Sequence, residues 1–325
     1  MNIIEALVEK IKGKNITIVY PEGTDKRIVG AAARHHKDGI LKPILLGNKD
    51  AVMAVAKENG FDIEGITIYD IETYPEYEEM VEAFIERRNG KVDREKAEKL
   101  LRDNNYFGTM LIYMGKANGM VSGAVGTTGD TIRPALQIIK TKPGTKIVSG
   151  AMLMVGPNDE RYLFADIAVN IEPKAEELAD IAHTAEETAR AFGIDEPKVA
   201  MLSFSTMGSA HSDGQEMMAE ATRIAKERYP EMAVDGEMQF DAALIPAVGE
   251  RKAPNSKVAG HANVFIFPDI AAGNIAYKVA ERLGGYRALG PILQGIAKPV
   301  NDLSRGCSEN DAYELAILTA VAVED

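Results

Sequence analysis

The chain has 325 residues, 46% of them apolar and 26% charged, and at about 150 residues per domain it predicts two domains, each large enough for its own core. Lys and Arg number 37 against 49 Asp and Glu, a net charge of −12, so the field of the whole molecule repels polyanions and argues against sequence-independent binding to nucleic acid. One cysteine, Cys307, rules out an intrachain disulfide and a multi-cysteine zinc site and fits a reducing compartment, so a cytoplasmic protein is expected.

At the start of the chain Ile3, Ile4, Leu7, Val8 and Ile11 fall at helical intervals among Glu5, Glu9, Lys10 and Lys12, the pattern of an amphipathic helix. It lacks the 7 to 15 unbroken apolar residues of a signal peptide, and no later segment approaches the ~20 needed to cross a bilayer, so a soluble, untargeted chain with no membrane partner is expected. Short β-branched runs then alternate with helix-period segments. Strands are predicted at 15–20, 42–46 and 66–69, and helices at 25–38, 49–60 and 74–88, with a long helical region at 93–117. A second series starts near 146–148, with strands at 162–169, 198–204 and 263–267 and helices at 175–192, 214–229 and 273–283. Such alternation builds parallel sheets covered by helices, an α/β fold throughout. No linker divides the halves, so a boundary near 148 rests on the change of series. There is no short-period repeat and no low-complexity segment.

Several chemistries lack their motifs: no Gly-x-Gly-x-x-Gly after a strand, no Walker loop, no His-Glu-x-x-His and no Gly-x-Ser-x-Gly elbow. His35, His36, His183, His211 and His261 are scattered, and neighbours on a helix point to different sides, so structural or solvent roles fit them better than metal ligation. No metal site is expected.

Three segments remain. Gly123-Ala-Val-Gly-Thr127-Thr128-Gly-Asp-Thr-Ile-Arg133 follows an apolar run and opens a helical pattern. Backbone N–H groups converging at a positive helix end would cradle an anion, with Arg133 adding a forked donor; a tight turn with a surface arginine explains the same residues. Met201-Leu-Ser-Phe-Ser-Thr-Met-Gly-Ser209 runs a strand into small hydroxyl residues, either a ligand loop beyond a strand end or plain helix capping. Asn301-Asp-Leu-Ser304-Arg305-Gly-Cys307-Ser308-Glu-Asn-Asp311 gathers a hydroxyl, a guanidinium, a thiol and a carboxylate, groups suited to an anionic acyl substrate and a proton transfer. Ser308 with Asp311 three residues on also fits a capping box, and spacing does not separate cap from base. A carboxylate held by N–H donors is the weaker base.

These residues resemble the phosphate acetyltransferase (phosphotransacetylase) family, short form, along nearly the whole chain. The carriers are Tyr20-Pro-Glu-Gly, Gly119-Met-Val-Ser-Gly-Ala, Thr131-Ile-Arg-Pro-Ala-Leu-Gln-Ile-Ile-Lys-Thr, Leu202-Ser-Phe-Ser-Thr-Met-Gly-Ser-Ala, Asp235-Gly-Glu-Met-Gln-Phe-Asp-Ala-Ala, Ala272-Gly-Asn-Ile-Ala-Tyr-Lys and Asn301-Asp-Leu-Ser-Arg-Gly-Cys-Ser. The resemblance implies reversible acetyl transfer between coenzyme A and inorganic phosphate, with coenzyme A or acetyl-CoA as substrate and no tightly bound cofactor. It implies two α/β/α domains similar to the isocitrate and isopropylmalate dehydrogenases, an active-site cleft between them, and a homodimer. The tail then returns to the first domain, giving 1–148 with 294–325 as domain one and 149–293 as domain two.

Residue by residue, the resemblance implies that Asp311 takes the proton of the coenzyme A thiol, that Ser304 hydrogen-bonds the transition state and that Arg305 binds phosphate and acyl oxygen. Thr127, Thr128 and Arg133 match phosphate-contacting positions, and Asn301 and Cys307 belong to the same substrate-binding set. Arg87 matches a further substrate arginine, although Arg87-Arg-Asn-Gly-Lys departs from the expected pattern and Arg88 is the alternative. The mechanism implied is direct attack of the thiolate on acetyl phosphate in a ternary complex. A competing route makes Cys307 an acyl carrier, because a thiol beside an arginine and a helix start is expected to have a depressed pKa. Other readings are a phosphate butyryltransferase with a wider acyl pocket, a metal-dependent dehydrogenase of similar fold, and a catalytically silent acyl-CoA-binding module.

Overall fold

Burial explains the strand choice at once: β1 (Thr17–Tyr20), a run of β-branched and aromatic residues, has three of its four residues buried and lies mid-sheet. The computed structural model describes residues 2–323. It divides the chain into two compact units, one made of the stretch up to Lys142 together with that from Ile296, the other Pro143–Gly295.

In the first unit β1 is joined by β2 (Lys42–Leu46), β3 (Thr67–Tyr69) and β4 (Gly119–Ser122), with helices α1 (Ile3–Ile11), α2 (Lys26–Lys37), α3 (Lys49–Asn59), α4 (Tyr77–Arg88), α5 (Arg94–Leu101), α6 (Asn104–Tyr113) and α7 (Thr128–Ile138). The predicted helical region 93–117 is thus two helices. Asp103 breaks it by accepting from the amides of Asn105 and Tyr106 and so capping α6.

The second unit contains β5 (Ser149–Val155), β6 (Arg161–Ala165), α8 (Ala175–Ala191), β7 (Val199–Leu202), α9 (Asp213–Arg228), β8 (Val234–Met238), α10 (Phe240–Leu244), α11 (Pro246–Lys252), β9 (Val264–Ile266), α12 (Ile270–Arg282) and β10 (Arg287–Gln294). Its sheet runs β10-β5-β6-β9-β7-β8. The four strands from β6 to β8 are parallel, but β10, β5 and β6 pair antiparallel, which corrects the expectation of parallel sheets throughout. The cause is local: the Gly156 amide donates to Glu160 O at 2.8 Å, closing a short turn that permits only a hairpin. Phe164, Phe265 and Phe267 form the aromatic part of this unit's core.

The chain then returns to the first unit as β11 (Val300–Asp302) and α13 (Glu309–Val321). The first sheet is therefore β11-β4-β1-β2-β3, every pairing parallel. Helix α13 is buried over most of its surface, from Ala312 to Ala320, as its Ala and Leu content allows. His35, fully buried on α2, ties it down: Nε2 donates to Tyr313 O at 3.0 Å and Nδ1 accepts from the Tyr20 hydroxyl at 3.0 Å. Burial pushes the imidazole pKa down to about 3, so the ring is neutral and its tautomer is set by those two partners.

Candidate active site

Three adjacent strands of the first sheet, β11, β4 and β1, end on the same side because they are parallel, and ligands of open parallel sheets bind beyond such carboxyl ends. From β1 the chain turns through Pro21–Asp25 into α2, from β4 through the glycine-rich loop into α7, and from β11 through residues 303–308 into α13. The pairing of β11 with β4 continues past the strand, with the Leu303 amide donating to Ser122 O at 2.6 Å. Gly123, at φ +98°, allows this approach; a Cβ there would collide with the Asp302 carboxyl and the Leu303 backbone.

The tail segment turns tightly, the Cys307 amide donating to Ser304 O at 2.9 Å. Ser304, Arg305, Ser308 and Asp311 are exposed, and among the described residues the Arg305 guanidinium makes no ion pair. The capping box forms: the Ser308 amide donates to Asp311 Oδ2 at 2.7 Å and the Asp311 amide to Ser308 Oγ at 3.1 Å. Only Oδ2 is used. Oδ1 of Asp311 takes no hydrogen bond from any described residue, so the cap leaves one oxygen of the carboxylate open.

The glycine-rich loop differs from the expected cradle. Its converging amides are already occupied: those of Val125 and Gly126 donate to Glu22 Oε1, each at 2.9 Å, and that of Ala124 to Glu22 Oε2 at 2.7 Å. The hydroxyl and amide of Thr127 donate to Asp130 Oδ2 at 2.7 and 3.0 Å, which holds that carboxyl below its usual range. The Thr128 and Thr131 hydroxyls lie near enough to Asp302 to lower its pKa. What remains open at the α7 N-terminus is the pair of amides of Thr128 and Gly129, since those of Asp130 and Thr131 turn back to Thr127 O. Arg133 lies one turn on, exposed and outside any ion pair among the described residues.

Sequence reasoning gave no role to the residues that hold these pieces together. Arg27 donates from Nη1 to Arg305 O at 2.8 Å and Cys307 O at 3.1 Å, and from Nη2 to Ala124 O at 2.7 Å and Asp25 Oδ2 at 2.8 Å. One planar guanidinium thus joins the tail segment to the glycine-rich loop. Asp302, 2% exposed, has its pKa pushed up to about 6, first by burial and then by Glu22 and Asp130, with the Thr128 and Thr131 hydroxyls opposing. Its Oδ1 and the Thr131 and Ser122 hydroxyl oxygens are buried without a well-formed hydrogen bond among the described residues. The only advance signal for Glu22 and Asp302 was their presence in the Tyr20-Pro-Glu-Gly and Asn301-Asp-Leu-Ser segments.

Cys307 requires a correction. Its thiol is not depressed but pushed up to about 11, because burial outweighs Arg27, and Asp311, Asp25 and Glu22 add negative charge nearby. Arg27, with Nη1 at 3.7 Å from Sγ, is the arginine beside it. Asn301 is 1% exposed and its amide donates to Thr319 Oγ1 at 2.8 Å, so it fastens β11 to α13 and offers no open surface. Arg87 donates to Ile138 O and Ile139 O, and Arg88 to Gln137 O. Both close the C-terminus of α7, which has no basic residue of its own there. α7 has 11 residues, about 16 Å at 1.5 Å per residue, so neither arginine joins Thr127 and Thr128 at its other end. In the second unit the hydroxyl-rich loop after β7 is consumed locally, Ser205 Oγ donating to buried Glu237 at 2.9 Å and Thr206 Oγ1 to Gln239 at 3.3 Å.

Among the described residues no group of three or more His, Cys, Asp or Glu is placed to hold a metal ion, and no helix is long and apolar enough to cross a membrane. The model of the family described as phosphate acetyl/butaryl transferase matches residues 2–320. A protein of Bacillus subtilis named phosphate acetyltransferase is 53% identical over 319 residues, covering 98% of each chain. The crystal structure of a phosphotransacetylase from Streptococcus pyogenes superposes with a TM-score of 0.95 at 54% identity, over 99% of this chain and 98% of that one. A putative 4-hydroxythreonine-4-phosphate dehydrogenase from Salmonella typhimurium, at 12% identity and a TM-score of 0.57 over 95% and 99% of the two chains, shares the fold alone. A strand-end site of hydroxyl, guanidinium and carboxylate, carried on a chain that matches from end to end, places this protein in the phosphate acetyl/butaryl transferase family.

Proposed function

We propose that this chain transfers an acetyl group reversibly between coenzyme A and inorganic phosphate, by direct attack of the coenzyme A thiolate on acetyl phosphate in a ternary complex. The observation that carries the reading is the meeting, at the ends of β11 and β4, of a carboxylate with a free oxygen, a hydroxyl and two unneutralised arginines. A thiol with a pKa near 8.5 is mostly protonated at neutral pH. Asp311 Oδ1 takes that proton while Oδ2 keeps its cap. The sulfur–carbon bond forms, the carbonyl pair moves to oxygen where Ser304 and Arg305 stabilise it, and its return breaks the bond to phosphate, which leaves as a stable anion. Phosphate sits against the open amides of Thr128 and Gly129 with Arg133. Thr127, Thr128 and Asn301 act by positioning, and Arg87 acts through the C-terminus of α7, whose carbonyls it holds.

The buried, high-pKa thiol of Cys307 favours this route over a covalent acyl carrier. Acetyl rather than butyryl transfer follows the name of the 53%-identical relative, although one methylene alters preference by only about 1–3 kcal/mol. The test is thiol consumption with acetyl, propionyl and butyryl phosphate. Acetyl phosphate should give the highest kcat/KM, and failure of all three donors refutes the reading. We further propose a cytoplasmic homodimer: Ile275 and Val279 on α12 and Leu283 at its C-cap are 61%, 50% and 85% exposed at i, i+4 spacing, an apolar stripe suited to a second copy.

A further inference from the structure

Three successive amides aimed at one point make an anion nest, and the anion this enzyme handles is phosphate. Yet the nest formed by Ala124, Val125 and Gly126 is filled by the carboxylate of Glu22, both of whose oxygens are engaged. The main chain of Ala124 is held at both of its polar groups, its N–H donating to Glu22 and its C=O accepting from Arg27. One residue further on, the loop delivers the α7 N-terminus with its two open amides.

We propose that Glu22 is a specificity-determining positioning residue that occupies the loop's own nest, so that phosphate and the phosphoryl end of acetyl phosphate are directed to Thr128, Gly129 and Arg133. The inference rests on those three as phosphate contacts. A tethered carboxylate competes at high effective concentration with any free anion, and by saturating the nest it leaves one productive place for phosphate instead of two neighbouring ones. It also fixes the loop geometry that sets the angle of α7 toward the tail segment. A glutamine in its place could still accept from Val125 and Gly126, but its NH₂ group would face the Ala124 N–H.

The experiment measures rates in the acetyl-CoA plus phosphate direction for the parent chain, Glu22→Ala and Glu22→Gln, with thermal melts of each. For Glu22→Ala the KM for phosphate should rise about tenfold while that for acetyl-CoA changes less than about twofold, the split expected when one substrate's site is displaced. High phosphate should become inhibitory as a second anion enters the vacated nest. Formate, a small carboxylate that fits the nest, should restore much of the loss in Glu22→Ala and have no effect on Glu22→Gln, whose amide still fills it. An alanine variant with an unchanged phosphate KM, or one that formate does not restore, overturns the proposal. If the alanine variant does not fold, Glu22→Asp decides, since its shorter carboxylate cannot span the three amides, and an unchanged phosphate KM there overturns it. Absence of turnover in the parent chain instead refutes acetyl transfer itself.

Discussion

Cys307 offers the sharpest test, because it is the only cysteine in 325 residues and its reactivity reports the site without interference. Burial raises its pKa from an ordinary 9.0 to about 11. Two units lower the thiolate fraction roughly 100-fold near neutral pH, while the more basic thiolate recovers a factor of roughly 6 to 10 through its greater nucleophilicity. Alkylation of the folded chain by iodoacetamide at pH 7.5 should therefore be about an order of magnitude slower than that of the same cysteine in the urea-unfolded chain. Restricted access alone would also slow the reaction, so the pH profile decides: ionisation control predicts a rate still climbing about tenfold per unit beyond pH 9. Removing the nearby cation in Arg27→Gln should slow the reaction further, since Arg27 is the one group lowering this pKa. A rate that levels off by pH 8 would mean a depressed thiol and would revive the acyl-carrier route. Cys307→Ala should then lose turnover, whereas the structure predicts turnover close to that of the parent.

Asp311→Asn keeps a cap acceptor but removes the base, so kcat should fall by about 10² to 10⁴ with little change in KM; turnover within a few-fold of the parent would leave Asp311 as a helix cap only. Asp302 has a folded pKa of about 6 against an ordinary 3.8, so between those values the folded state holds more protons than the unfolded one and stability falls as pH rises. Full expression of that shift is about 3 kcal/mol at most. Asp302→Asn should therefore melt higher than the parent at pH 7 and lose that advantage toward pH 4, and equal melting at both pH values refutes the buried-charge argument. Leu283→Glu at the C-cap of α12 should convert a dimer to a monomer in sedimentation velocity, and an unchanged sedimentation coefficient removes this stripe from the interface.

Local signals carried most of the fold. The 3.6-residue spacing in residues 26–37 and the β-branched runs around Ile18 and Ile44 set elements that the structure reproduces within a few residues. Where a polar residue outcompeted periodicity, as Asp103 does between α5 and α6, the pattern alone read straight through the break. The antiparallel pairing of β5 with β6 was equally hidden, because it depends on a five-residue turn and not on the strands themselves. In the site, the capping box of Ser308 and Asp311 was legible since both partners lie within four residues. The occupant of the glycine-rich loop was not: Glu22 is about 100 residues away in sequence, and no spacing rule connects it to Ala124. Arg27 reaches 280 residues to Cys307, and only parallel pairing of β11 with β4 next to β1 makes that contact possible. For Cys307 the error was one of sign: Arg305 two residues away was visible in the sequence, but neither the burial of the thiol nor Arg27, the arginine that lies beside it, was.

A molecule of net charge −12 that handles phosphate must attract an anion against its own field, and the arrangement of its carboxylates shows how. Glu22 and Asp130 lie immediately around the proposed phosphate position, yet each is turned onto donors of the protein itself: loop amides, and the Thr127 hydroxyl and amide. Charge spent in this way shapes the loop and does not neutralise Arg133 or Arg305, which stay outside ion pairs among the described residues. Repulsion from the remaining surface is screened beyond about 8 Å at physiological ionic strength, whereas helix-end amides and forked guanidinium donors act at contact distance. At the proposed site a small phosphate therefore has only to reach the α7 amides, where contact-range donors outweigh the screened field. Carboxylates that a charge count would score as hostile to phosphate are, on this geometry, what keeps its donors free and aimed.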